Sequence, residues 1–168
     1  MENLNVGKVI ISKQGENSDN YQKFKSIVEK NNIKVVVVGA SITGLARIQI
    51  ENNIYFDILW PYNEKFINEN TLNNNSIVCK LHYKNFSMLF TGDIEKIAEE
   101  EILKQYAKKL QILNSTVLKT AHHGSKTSST QEFINRVNPK IALIGVGKDN
   151  KFGHPSEDVV KQLELLRS

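Results

Sequence analysis

The sequence predicts an α/β protein of the α+β kind, with two β-sheets packed face to face and helices outside. Two observations predict this. Strand patterns dominate residues 33 to 92, and strands alternate with helices after that. A doubly wound parallel fold would alternate from the start. A third observation bears on function: Asp93, the adjacent pair His122–His123, and His154 each stand just beyond an apolar run.

Gly7 to Ser12 is a short β-type run, followed by a polar turn from Gln14 to Asp19. Tyr21, Phe24, Ile27 and Val28 recur at helical spacing, so a helix follows, capped by Ser18 or Asp19 and ended near Lys30-Asn31-Asn32. The β-branched run Ile33 to Val38 reads as a buried strand. Gly39 to Gly44 has two glycines, but no Lys-Ser/Thr pair follows them and no helix pattern comes next. It therefore reads as a turn, not a phosphate loop. Leu45 to Ile50 and Ile54 to Trp60 read as a hairpin about Asn52-Asn53, stopped by Pro61. Residues 62 to 75 are Asn-rich and without apolar period, which predicts a flexible loop.

Ser76 to Tyr83 and Phe86 to Thr91 form a second hairpin about Lys84-Asn85, with Ile77, Cys79, Leu81 and Tyr83 on one face. His82 lies on the opposite face and reads as an exposed strand residue; Cys79 reads as a small core residue. Ile94, Ile97, Ala98, Ile102, Tyr106 and Leu110 make the apolar stripe of a helix. Its glutamates (Glu95, Glu99, Glu100, Glu101) precede its lysines, matching the macrodipole, and read as a solvated face. Thr116 to Thr120 is a strand into His122–His123. Ser129-x-x-Glu132 reads as a capping box opening a helix that Pro139 ends. Ile141 to Val146 is a strand, and Pro155-Ser156 open a last helix with Val159, Val160, Leu163 and Leu166.

Composition narrows the classes. The 168 residues suffice for one domain that buries most of its unfolded surface, and 24% charged residues suit a soluble chain. A net charge of +4 is a mild bias toward polyanions, well short of a basic nucleic-acid arm. A lone cysteine excludes an internal disulfide and a thiolate zinc cluster. No apolar run reaches membrane-spanning length and the first residues do not read as a signal peptide, so the chain taken alone reads as cytoplasmic.

Asp93 follows a strand and a glycine, where an aspartate serves as a metal ligand or as a helix cap; position alone favours the cap. On an extended chain His122 and His123 point opposite ways, so one faces a site while the other packs or orients it. Gly124 permits close backbone approach. Ser125, Thr127 and Ser128 offer hydroxyls at a helix N-terminus, a place that favours anions, and Lys126 adds a positive charge. Ser125, Lys126 and Ser128 are the candidate phosphate contacts. His154, before a helix, is disfavoured as an imidazolium and suits a neutral ligand or a cap. Imidazole and carboxylate donors without thiolates suit zinc or manganese, which would polarise a phosphoryl oxygen and lower the pKa of bound water.

Three motifs in order carry a family resemblance. Asn75-Ser76-Ile77-Val78 with Leu89-Phe90-Thr91-Gly92-Asp93, then Leu118-Lys119-x-x-His122-His123-Gly124-Ser125, then Gly153-His154-Pro155, resemble the metallo-β-lactamase-like domain of ComEC-type competence proteins. The resemblance extends over residues 14 to 167, including Val38-Gly39 and Leu59-Trp60-Pro61. It implies an αββα sandwich with a metal site at one edge. It implies Asp93 as a bridging metal ligand, one of His122 or His123 as a second ligand, and His154 as a further site histidine. It implies a metal-dependent nuclease acting on single-stranded DNA during uptake, with a membrane channel as partner and an outward-facing, membrane-associated setting within a full competence protein. The superfamily's His-x-His-x-Asp-His motif is absent. The expectation is thus one partial domain over residues 1–168, truncated at its N-terminus and its C-terminus, with zinc or manganese not necessarily retained and activity dependent on a missing segment. Self-association follows from the uncovered sheet surfaces of such a domain. The alternatives are a non-catalytic remnant that binds nucleic acid, and a hydrolase of a small phosphoester or lactone.

Overall fold

The computed structural model describes residues 4–13, 18–38, 46–62 and 65–167. The turn expected at Gly39–Gly44 and most of the one expected at 14–19 lie outside them. The elements are β1 (Lys8–Ser12), α1 (Asp19–Lys30), β2 (Lys34–Val38), β3 (Ala46–Glu51), β4 (Ile54–Trp60), α2 (Thr71–Asn74), β5 (Val78–Tyr83), β6 (Phe86–Phe90), α3 (Lys96–Gln105), β7 (Val117–Lys119), α4 (Gln131–Val137), β8 (Ile141–Leu143) and α5 (Glu157–Glu164). β1 and β2 form a parallel pair; β3 to β8 form a six-stranded sheet in sequence order. Its first four strands are antiparallel, and β7 and β8 join in parallel. The result is a mixed α/β protein, and no described helix is long and apolar enough to cross a membrane.

The core lies between one face of the large sheet and the helices α3 and α4. Leu59, Trp60, Val78, Leu89 and Leu118 come from the strands, Ala98 and Ile102 from α3, and Phe133 and Val137 from α4, each at most 1% exposed. Each such large side chain contributes about 1.5–3 kcal/mol on burial. The α3 stripe is narrower than its sequence suggests: Ile97 and Leu110 remain exposed. The polar ends of buried aromatics find backbone partners, with Trp60 Nε1 donating to the Asn74 carbonyl (2.7 Å) and Tyr106 Oη to that of Leu59 (3.0 Å).

Five expectations need correction. β2 is not a buried strand: Val35 and Val37 are exposed and only Val38 is buried. Its one described strand partner is β1, and a two-stranded pair has little to cover it. The 62–75 stretch is no loose loop. Ile67, Asn74 and Asn75 are buried, and the Asn75 amide exchanges hydrogen bonds with both backbone groups of Ile67. The asparagines replace the missing apolar period with amide-to-backbone bonds. The capping box shifts by one residue: Thr130 caps α4, accepting from Phe133 N, while Ser129 takes a left-handed φ of 60°.

The fourth correction concerns His82. The Val78–Lys80–His82 side of β5 is the better buried one, and the His82 side chain is only 24% exposed. Its ring stacks on Tyr55 at 4.6 Å, with Nε2 3.3 Å from Asp57. Arg47 grips Asp57 through two hydrogen bonds. Buried Lys80 donates to the Ile112 (3.1 Å) and Asn114 carbonyls, tying the α3–β7 connection to the sheet. Alternation along β5 is the right signal, but at the rim of the core Lys80 finds carbonyl partners and the His82 ring stacks on Tyr55 beside Asp57. On the other side Cys79 is half-buried, and burial pushes its thiol up to about 11.

The fifth concerns the glutamates of α3. Glu99 is fully buried and Glu95 nearly so. Glu99 accepts from Ser129 N, Thr130 N (2.8 Å) and Thr130 Oγ1 (2.7 Å). It thereby fills the helix N-terminus where the sequence suggests an external anion. Burial raises its pKa, and these three donors oppose the rise.

Two predictions follow from these clusters. Glu99→Ala strips one partner from three donors, and an unsatisfied buried donor costs about 1–3 kcal/mol. Urea unfolding should show a loss of about 3 kcal/mol, the low end of that range for each of the three donors; a loss below about 1 kcal/mol would refute the clamp. Desolvation, with smaller contributions from Lys80 and Arg47, lowers the His82 pKa, while Asp57 opposes it. The unfolded chain then binds this proton first, so stability falls as pH drops through the ordinary histidine value of about 6.5. The difference in unfolding free energy between pH 8 and pH 5 should shrink in His82→Gln, and an unchanged difference would count against this assignment.

Candidate functional site

β6 and β7 lie side by side in parallel, so the turns after their C-terminal ends meet. Thr91 Oγ1 donates to the Lys119 carbonyl (2.6 Å) and His122 N to the Gly92 carbonyl (3.0 Å), locking the two turns together. Gly92, at φ +56°, lies against Ser76, where a Cβ would come within 2.6 Å of the Ser76 side chain. Gly124, at φ +78°, lies against Pro155, where a Cβ would come within 2.7 Å. Ser156 N donates to the Gly124 carbonyl (2.8 Å), which draws the His154 loop to the same corner.

Asp93 does not cap α3, whose N-cap is Glu95. Its carboxylate is about half exposed and stands 3.7 Å from His123 Nε2. The other ring nitrogen of His123 meets the Gly145 carbonyl at 2.6 Å, which sets the ring's direction. The histidine pair is not extended: His122 (φ 45°) and His123 (φ 55°) are both left-handed within the tight turn Ala121–Gly124. The two rings still part company. His122 Nδ1 turns inward, 3.5 Å from Glu95, while its ring meets His154 edge-on at 5.8 Å. His154 in turn stacks on Phe152 at 5.8 Å.

Glu95 is the site residue that the sequence conceals. It accepts from Asn70 (2.7 Å) and Thr127 (3.0 Å), and its backbone N–H donates to Asn74 (2.9 Å). The Asn-rich stretch thus anchors the carboxylate that faces His122. A helix-start glutamate four residues before another glutamate resembles any solvated face, so the residues around it give no clear signal. Ser125 and Ser128 are buried, with hydroxyls turned to Thr127 and to the Ala121 and Ser125 carbonyls. Lys126 is exposed and borders, with Lys96, Glu69 and Glu100, a cleft of about 470 Å³ behind Glu95.

Asp93, His122, His123 and His154 are therefore neighbours, joined in pairs. Among the described residues no group of three or more His, Cys, Asp or Glu side chains converges on one metal position. A catalytic zinc needs three protein ligands and a structural one four. Two donors, Asp93 and His123, face each other in the open, and Glu95 and His122 do so deeper in. The described residues do not fit a complete metal centre.

No family model matches the chain. It is similar to ComE operon protein 3 of Bacillus subtilis, with 38% identity over 92 residues, covering 55% of this chain and 11% of that protein. It is similar to competence protein ComA of Neisseria gonorrhoeae, with 34% identity over 122 residues, 70% of this chain and 17% of that one. It is also similar to recombination protein 2 of Haemophilus influenzae, with 31% identity over 115 residues, 68% of this chain and 14% of that one. The matched stretch is thus under a fifth of each relative's length. Two of these relatives carry names that refer to competence and to recombination.

Proposed function

We propose that this chain handles DNA in an uptake system, with the corner of Asp93, His122, His123 and His154 as the face that meets the sugar–phosphate backbone. The observation that carries this is the similarity to competence and recombination proteins, together with an open carboxylate–imidazole pair at the joined ends of β6 and β7. The net charge of +4 favours a polyanion, and Lys126 stands exposed on the loop after the histidine pair.

The reaction class we assign to the corner is phosphodiester hydrolysis. His123, oriented by Gly145, presents Nε2 beside Asp93, where it takes the proton of the attacking water or gives one to the leaving sugar oxygen. Glu95, held by Asn70 and Thr127, stands 3.5 Å from His122 Nδ1 on the inner side of the ring. The scarcity of convergent donors supports a second reading, in which the chain binds DNA without cutting it.

One assay separates the two. The purified chain is titrated with labelled single-stranded DNA, then incubated with it with and without added Mn²⁺ or Zn²⁺. Binding should weaken as salt rises, with a log–log slope near −0.7 per phosphate neutralised. If the corner is hydrolytic, Asp93→Ala should lower metal-stimulated cleavage by about 100-fold or more while leaving binding in place. Binding without any cleavage supports the second reading. Absence of DNA binding at low salt would overturn the DNA assignment, and cleavage indifferent to Asp93→Ala would overturn the hydrolytic one.

A further inference from the structure

His122 Nδ1 is buried and has no hydrogen-bond partner among the described residues. A buried ring nitrogen left unpaired needs an explanation. The side chain as a whole is 23% exposed, so its contact with solvent belongs to other atoms of the ring. Glu95 Oε1 stands 3.5 Å from Nδ1, too far for a well-formed hydrogen bond. Contacts of this kind in a free enzyme tighten when a ligand arrives.

The lone pairs of Glu95 are nearly all assigned. Oε2 accepts from Asn70 Nδ2 (2.7 Å) and Asn74 Nδ2 (3.4 Å), and Oε1 accepts from Thr127 Oγ1 (3.0 Å). A carboxylate offers about four acceptor sites. The one that remains is on Oε1, the oxygen nearer His122. A lone pair on Nδ1 would there confront a second acceptor, so the proton belongs on Nδ1. His123 supplies a parallel. Its Nδ1 meets the Gly145 carbonyl at 2.6 Å, and a carbonyl only accepts, so that nitrogen carries the hydrogen. Both adjacent rings thus turn Nδ1 to a protein oxygen, and each, when neutral, keeps its lone pair on Nε2.

We infer that Glu95 is a positioning residue for His122: it holds the ring proton on Nδ1 and leaves Nε2 to accept from a proton-bearing group at the corner, such as the attacking water. This rests on the hydrolytic reading proposed above and adds to it a second imidazole acceptor besides His123. Asn70, Asn74 and Thr127 serve the same end, because they fix which oxygen of Glu95 faces the ring. With its proton on Nε2 instead, His122 would present a donor, and His123 alone would be left to take a proton.

The test is long-range ¹⁵N–¹H NMR of the histidine rings in the DNA-free chain at pH 8, with the His122 signals assigned through His122→Gln. The native ring should show a pyrrole-like Nδ1 and a pyridine-like Nε2. Glu95→Gln keeps the size and shape of the side chain. The Asn70 and Asn74 amides require an oxygen at the Oε2 position, so the new NH₂ faces His122, and the ring proton should move to Nε2. Thr127→Val removes one donor from Oε1 but keeps the carboxylate, and should retain the native pattern. In the cleavage assay Glu95→Gln should lower kcat by about 10- to 100-fold with KM unchanged. A pyridine-like Nδ1 in the native chain would overturn the inference, as would a ring protonated on both nitrogens, and these outcomes decide even if Glu95→Gln does not fold. So would a proton that stays on Nδ1 in folded Glu95→Gln, a Thr127→Val spectrum that changes as Glu95→Gln does, or a kcat indifferent to the moved proton. The spectra need no DNA, so the two readings fail separately. If the chain cuts DNA and the proton does not move, this inference alone falls. If the spectra are as expected and no DNA is cut, the hydrolytic reading falls, and with it the role given to Nε2.

Discussion

The buried carboxylate of Glu99 is the constraint on which the rest of the corner depends. A carboxylate taken out of water must recover its solvation from fixed donors. The turn before α4 supplies three, two of them backbone N–H groups that the start of a helix leaves free. Register between α3 and α4 is thereby set by a polar contact with directional geometry, in a place where apolar packing alone would let the helices slide. One helical turn earlier, Glu95 repeats the device toward Thr127 and Asn70, with His122 Nδ1 3.5 Å away. Residues four apart share a helix face, so one face of α3 holds residues 127–130. The histidine turn is tied down separately, by His122 N on the Gly92 carbonyl and by the Ser128 hydroxyl on the Ala121 carbonyl.

The same device explains what was and was not legible in the sequence. Elements with a clean period are readable: the α1 stripe, the hairpin about Lys84-Asn85 and the strand into His122 form within a residue or two of their expected limits, while α3 ends at Gln105, short of the Leu110 end of its stripe. Failures cluster where polar groups do the packing. Asn74 and Asn75 are fully buried in a stretch with no apolar period. Glu95 and Glu99 belong to a run of acids that also fits a solvated helix start. Lys80 and His82 occupy the inward side of β5, and their alternation with Cys79 and Leu81 points the burial argument the wrong way. Side-chain type predicts exposure only until a partner is available, and partners such as Asp57 or the Asn114 carbonyl come from distant parts of the chain.

For the site, the neighbourhood of Asp93, His122, His123 and His154 follows from chain topology. Parallel β6 and β7 end at the same level, and a strand pair that ends together brings its following turns together. Any residue placed just after such strands lands at that edge, which is why position after an apolar run carried information. The finer geometry does not follow from topology. The left-handed φ at both histidines depends on a turn with no helical or extended precedent in the flanking pattern. Burial of the Ser125 and Ser128 hydroxyls depends on bonds made inside that turn. Sequence position could therefore name the corner's members but not which atoms they present.

The corner is stiff on two sides for two unrelated reasons. On one side the α3 glutamates grip the 125–130 turn; on the other Asn150 closes the 147–154 loop on itself. Between them lie the groups that keep solvent exposure, Asp93 and His123, with Phe152 further out. Ordering a long side chain or a loop at the moment of binding costs free energy that comes out of affinity. Here much of that ordering is already complete in the free chain, because backbone and buried polar groups carry it. What remains exposed is a carboxylate, an imidazole and an aromatic face, each with few internal contacts to give up. That division gives rigidity to polar bonds made inside the chain and leaves open rings and charge at the surface.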